Sequence, residues 1–238
     1  MSRGVCFAFM LLAAGHAVGQ SAAPEWFPVH LGDQWVYEHT TRDDTGEGRA
    51  HLSVHDWKTK ETTIGVWTVA EGTVLERRIE VVGGAPPNGW RVSPTSAYLI
   101  RGNLLYAPEY AETGWNPATH TLTRQFVEGL RTFSSPDFCF PLSVSKTWGA
   151  PHGLPDWGVV RPEDARDWRV VGTRVHDPFA PDRGSTFHLT NISSYPGSGM
   201  TVDIWFEKEV GVVREVAIHH GTIGEEKTRL TRFAPAPR

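Results

Sequence analysis

The chain has 238 residues, 39% of them hydrophobic and 21% charged, and a formal net charge of −4 at pH 7. So mild an acidity argues against nucleic acid or an anionic lipid surface as partner. Two cysteines, one of them Cys6, exclude a disulfide framework, and the apolar content is ordinary for a chain that builds its core without one.

In chain order, residues 1–19 read as a secretory signal. Arg3 supplies the positive start, Val5 to Ala14 the apolar run, and Ala17-Val18-Gly19 the small residues that signal peptidase needs. The mature chain is then expected to start near Gln20, with its net charge moved from −4 to −5 and Cys139 as its one thiol. Cys6 lies too early in the apolar run to be a lipidation cysteine, and no later stretch is apolar for long enough to span a bilayer. The expected destination is the periplasm or the extracellular space.

Beyond the signal, ten Trp, 24 Gly and 17 Pro favour strands and turns over helices. Apolar and polar residues alternate in Ala50–His55 and Leu75–Val81, and Trp35–His39, Ile64–Ala70, Trp90–Val92 and Tyr98–Ile100 are shorter strand candidates. In Leu75–Val81 the set Leu75, Arg77, Ile79 and Val81 falls on one face. Leu122, Phe126 and Leu130 have helical spacing, although the stretch also suits a strand. Cys139, between Phe138 and Phe140, reads as a buried, inert thiol. Pro151 to Pro162 reads as a surface loop, and Pro162 to Ala165 as one short helical turn. Strands resume at Trp168–Val175, Thr186–Asn191, Thr201–Glu207, Val212–Ile218 and Lys227–Phe233, before a frayed tail from Ala234. Turn signals such as Gly83-Gly84, Pro87-Asn88-Gly89 and Glu209-Val210-Gly211 separate them.

One pattern occurs twice. Phe27-Pro28-Val29-His30-Leu31-Gly32-Asp33-Gln34-Trp35 returns 113 residues later as Phe140-Pro141-Leu142-Ser143-Val144-Ser145-Lys146-Thr147-Trp148. The expected fold is therefore mainly β with little helix: a curved antiparallel sheet, half-barrel or barrel-like. It is built as one domain over residues 20–238 from two related half-units, about 26–139 and 140–233.

The opening Trp26-Phe27-Pro28, followed by Leu31-Gly32-Asp33-Gln34-Trp35-Val36-Tyr37, resembles that of uncharacterised secreted bacterial β-rich proteins. Ile204-Trp205-Phe206-Glu207 and Val210-Gly211-Val212-Val213 are similar to their closing hairpin, and Arg183-Gly184-Ser185-Thr186-Phe187 to one of their strand starts. The resemblance implies an envelope or extracellular β-protein and brings no catalytic residue with it. The chain departs from its own repeat at Ser145, where the first unit has Gly32.

Chemistry-bearing constellations are thin. His51 and His55 share a strand face but lie about 13 Å apart at ~3.3 Å per residue, so no metal site is expected. Asp203, Glu207 and Glu209 share a face around Trp205 and are the candidates for paired-carboxylate catalysis, which needs carboxyls about 5 to 9 Å apart. No Gly-x-Ser-x-Gly elbow and no phosphate loop is present, and no cofactor is expected. Trp115 and Trp157, among Gly, Pro and Asn, are the candidate ligand platforms. Asn191-Ile192-Ser193 is a glycosylation sequon, relevant in a eukaryotic secretory host. These readings favour an exported, non-enzymatic protein that holds an apolar or amphipathic ligand, or an envelope partner, on a curved sheet. The rivals are a carbohydrate-active or other hydrolase using the strand carboxylates and a structural envelope component.

Overall fold

The computed structural model describes residues 23–44, 52–87, 92–107, 114–132, 136–151, 166–173, 186–195, 198–220 and 224–237. The signal segment, Trp90, Trp157, the turn at Pro162–Ala165, most of the loop from Pro151 to Pro162 and Arg183 to Ser185 lie outside the described residues.

The first half holds α1 (Ala23–Trp26), β1 (Gln34–Asp44), β2 (Leu52–Val69), β3 (Gly72–Gly84), β4 (Thr95–Arg101) and β5 (Leu104–Tyr106). A short pair, β6 (Trp115–Asn116) and β7 (Thr121–Leu122), leads into α2 (Arg124–Thr132) and then β8 (Phe138–Cys139). The second half holds β9 (Thr147–Pro151), β10 (Arg166–Thr173), β11 (Thr186–Tyr195), β12 (Ser198–Glu207), β13 (Gly211–His220) and β14 (Gly224–Ala234).

Twelve of these strands form one antiparallel sheet in the order β8-β5-β4-β3-β2-β1-β14-β13-β12-β11-β10-β9, curved into a nearly closed, barrel-like shape. β1 pairs with the last strand, from Gln34 opposite Ala234 to Arg42 opposite Glu225, so both halves share one sheet. The two outermost strands are short, which limits exposed edge. They approach each other: Trp148 Nε1 donates to Pro136 O at 2.9 Å, and the Phe138 and Trp168 rings stack at 6.5 Å.

The concave face carries the main core: Leu75, Ile100, Leu105, Phe138, Phe140, Trp168, Val170, Leu189, Ile204 and Phe206 are all buried in one cluster. Each contributes about 1.5–3 kcal/mol by leaving water. A second cluster, Val74, Ala97, Leu99, Tyr106 and Trp115, lies on the other face of β3 and β4. α2 covers it with Phe126 and Leu130, and Leu122 packs there too, so the helical spacing of these three resolves as helix rather than strand. Thr123 caps α2, its Oγ1 accepting the Phe126 amide at 3.3 Å.

The two repeat units enter the sheet alike. Phe27 and Phe140 are buried, and Trp35 and Trp148 are the second residues of β1 and β9, at 0% and 7% exposure.

The structure departs from the sequence reading in several described places. β2 is one strand of 18 residues rather than two, pairing with β1 along its first part and with β3 along its second. Its inward middle positions are Thr59, Glu61 and Thr63, so the apolar alternation lapses there while the backbone continues. Bulges at Lys58/Thr59 and Thr63/Gly65 bend it around the barrel. β13 carries a bulge opposite Trp205/Phe206, so Val212 and Glu215 both face inward and the simple alternation from Val212 to Ile218 fails. The tail is docked rather than frayed: the Ala236 amide donates to Asp33 Oδ1 at 2.8 Å, and Asp33 is 1% exposed. Cys139 is half-buried, a free thiol on β8.

Candidate functional site

The concave face is not apolar throughout. Near its centre is a cavity of about 120 Å³, walled by Phe27, Tyr98, Phe138 and Val212 and edged by Tyr37, Glu61, Arg77 and Glu215. Strand alternation explains why charged groups reach the interior. Arg77 follows Leu75 by two residues on β3, so it shares that residue's inward face. Glu61 stands directly opposite Trp35 in the β1–β2 ladder and turns inward with it.

Arg77 is 3% exposed. Its Nη1 donates to Glu61 Oε2 at 3.1 Å. The guanidinium carbon lies 3.7 Å from the Trp35 ring centroid, 4.7 Å from that of Tyr98 and 5.0 Å from that of Phe27. Electron-rich ring faces attract a guanidinium, more strongly once water is gone, so three rings hold the plane in place. Its Nε and Nη2 are buried and meet no acceptor among the described residues.

The surrounding groups are tuned by the same enclosure. Burial, then the nearby Glu61 charge, pushes the Tyr98 hydroxyl up to about 12 and that of Tyr37 well above its usual range. Both phenols stay protonated, and Tyr37 donates to Val212 O at 3.2 Å. Burial, then the negative charges of Glu226 and Asp137, pushes the Glu215 carboxyl up to about 7. Farther along β1, His39 stacks on Trp57 at 4.0 Å. Its two ring nitrogens meet Thr59 Oγ1 at 2.8 Å and Thr228 Oγ1 at 3.0 Å. Burial pushes this imidazole down to about 4, so it is neutral. A second hollow of about 300 Å³ opens beside His39 and Trp57, rimmed by Glu38, Thr40, Asp56 and Lys58.

The described residues singled out from sequence lie elsewhere, and Trp157 is outside the described residues. Asp203 and Glu207 alternate with the core residues Ile204 and Phe206, so they occupy the convex face of β12. Asp203 Oδ1 is 2.8 Å from His188 Nε2, whose ring stacks on Trp205 at 4.6 Å. Four residues of strand separate Asp203 from Glu207, about 13 Å and outside the glycosidase spacing. Glu209 is not on that strand face: it sits in the β12–β13 turn with φ +65° and is exposed. The expectation that the three carboxylates share a face is thus corrected. So is the reading of Trp115 as an open platform, for it is 2% exposed, in the core beneath α2. Among the described residues no three His, Cys, Asp or Glu side chains are grouped to hold a metal ion, and no helix is long and apolar enough to cross a membrane.

In the sequence, Arg77 falls on the apolar face of its strand. A cation in phase with Leu75 and Ile79 was the signal for this site. Glu61 carried none, because Thr59 and Thr63 beside it hide which face of β2 turns inward.

No protein-family model matches the chain, and no curated protein aligns with it. Among solved structures, the chain is similar to a candidate lipoprotein from Parabacteroides distasonis, at 11% identity and TM-score 0.41 over 87% of this chain and 97% of that one. It is similar to a candidate exported protein with a YmcC-like fold from Bacteroides fragilis, at 9% identity and TM-score 0.42 over 88% and 98%. A candidate outer membrane lipoprotein-sorting protein domain from Vibrio parahaemolyticus aligns at 9% identity and TM-score 0.24 over 87% and 86%. No residue role transfers at that likeness.

Proposed function

We propose that this is an exported protein that binds a small amphipathic molecule inside its curved sheet and does no chemistry on it. Export rests on the signal pattern of residues 1–19. The observation that carries the binding reading is the cavity on the concave face, with apolar walls on one side and a few converging polar groups on the other. That mixture of an apolar body and sparse polar anchors is how small-molecule sites combine affinity with orientation.

Catalysis finds less support. A general acid or base must lie within about 3 Å of the proton it moves, and the hydrolase candidates Asp203 and Glu207 stand on the opposite face of the sheet from the cavity. The test of binding is native mass spectrometry on protein purified from its own compartment. A retained small-molecule mass is expected, and it should be lost on gentle unfolding. The rival is tested by a substrate screen of the parent beside Asp203→Asn, Glu207→Gln and Glu209→Gln. Turnover in the parent that one of these abolishes would replace the binding reading by the hydrolase.

A further inference from the structure

The cavity contains more information than its shape. Arg77 is almost wholly buried, and only Nη1 has a partner, Glu61. The two nitrogens without an acceptor, Nε and Nη2, are the pair that lies along one edge of a guanidinium. Two parallel N–H groups on one edge match the two oxygens of a carboxylate, the bidentate geometry in which arginine recognises such groups. The aromatic rings of Trp35, Tyr98 and Phe27 pack on the guanidinium, so its orientation is set before any ligand arrives. Buried donors with nothing to donate to are a standing cost, relieved when an acceptor enters.

We propose that the cavity is a carboxylate-binding site: Nε and Nη2 of Arg77 take the head of a small aliphatic acid, whose hydrocarbon end lies against Phe27, Phe138 and Val212. This rests on the binding reading above and names its ligand class. Size limits the ligand. About 120 Å³ is somewhat less than the ~150 Å³ that accommodates benzene, so an acid of about six non-hydrogen atoms fits, or the head of a longer one.

Charge limits it further. Glu61 already neutralises Arg77, so an entering anion adds one uncompensated negative charge beside Glu215. The other groups near Glu215 are negative or neutral: Glu226 across the β13–β14 ladder and Asp137 ahead of β8 are negative, Ile204 and Thr228 are its uncharged strand partners, and Tyr37 and Tyr98 stay neutral phenols. A monoanion is therefore admitted when Glu215 carries a proton, which its upward-pushed carboxyl takes from solvent near neutral pH. A dianion such as phosphate is disfavoured by the same count.

The test is calorimetric titration of the parent with butanoate and with butanamide, which is nearly the same size and uncharged, at several pH values. Butanoate is expected to bind at least about tenfold more tightly than butanamide at pH 6. Its affinity should fall about tenfold between pH 6 and pH 8, with protons taken up from buffer at the higher pH. Glu215→Gln should flatten that profile. Arg77→Met combined with Glu61→Gln removes both charges, so neither is left buried alone, and should abolish butanoate binding in a protein whose circular dichroism is unchanged. Butanamide binding as tightly as butanoate with a flat pH profile would overturn the carboxylate proposal and leave the binding reading standing. So would undiminished butanoate binding by the folded double variant. Failure of the parent to bind either compound, with no mass retained from its own compartment, would remove both.

Discussion

Gly32 and Ser145 hold the same place in two copies of one turn. The Gly32 amide donates to Thr63 O at 2.8 Å and the Ser145 amide to Val170 O at 2.9 Å. One residue later, Asp33 N bonds His30 O at 3.2 Å, and Lys146 N bonds Ser143 O at 3.0 Å. Both residues take positive φ, +91° and +67°. A side chain resists that conformation and glycine does not, so the two positions should respond oppositely. Gly32→Ala is expected to cost about 1–2 kcal/mol, because a Cβ there finds ordinary contact with Ala236 but not ordinary backbone geometry. Ser145→Gly should be neutral or stabilising by up to about 1 kcal/mol. Urea denaturation of both variants measures this, and equal losses at the two sites would show that the turns are not alike.

The repeat also predicts large effects at its two tryptophans. Trp35 donates from Nε1 to Val210 O at 2.8 Å and Trp148 to Pro136 O at 2.9 Å, each reaching from one half of the sheet to the other. Both rings are buried. Replacing either by Ala should cost roughly 3 to 5 kcal/mol in equilibrium unfolding. Losses below about 1 kcal/mol at both would place these rings outside the core.

His39 and Glu215 should pull stability in opposite directions with pH. The folded-state pKa of His39, about 4, lies below its ordinary 6.5. Its contribution is present above pH 6.5 and is lost as pH falls toward 4. The folded-state pKa of Glu215, about 7, lies above its ordinary 4.5. Its contribution is present below pH 4.5 and is lost as pH rises toward 7. Between about pH 5 and 6.5 the two slopes oppose, each limited to about 1.4 kcal/mol per pH unit. Glu215→Gln should therefore make stability rise with pH across that window, and His39→Gln should make it fall. Parent and variants with the same slope would show that neither group is enclosed as described.

The Arg77–Glu61 pair should be worth more as a pair than as single charges. Glu61→Gln leaves a buried cation without its counter-charge and should cost about 3–5 kcal/mol. Adding Arg77→Met should restore most of that loss, since the methionine keeps apolar contact with the rings of Trp35, Tyr98 and Phe27. A double variant less stable than Glu61→Gln alone would mean that the rings, not Glu61, are the main partner of the guanidinium.

Much of this protein was legible in the order of its residues. The alternation in Leu75–Val81 and Thr201–Glu207, the turn at Glu209-Val210-Gly211 and the twice-used Phe-Pro to Trp pattern are local properties, and local backbone preference is enough to express them. They determined a mainly β chain in a curved antiparallel sheet, and they put Arg77 on an apolar face. Which face of β2 turns inward, that β1 closes against β14, and that Ala236 ties down on Asp33 were decided only by tertiary structure. The same holds for the meeting of Arg77, Glu61 and Glu215 in one cavity. Period-two alternation reports a face only where that face is apolar, and Thr59, Glu61 and Thr63 are not. A site assembled from polar residues on separate strands leaves no pattern in any one of them, because their proximity is set by strand register and sheet curvature rather than by spacing along the chain.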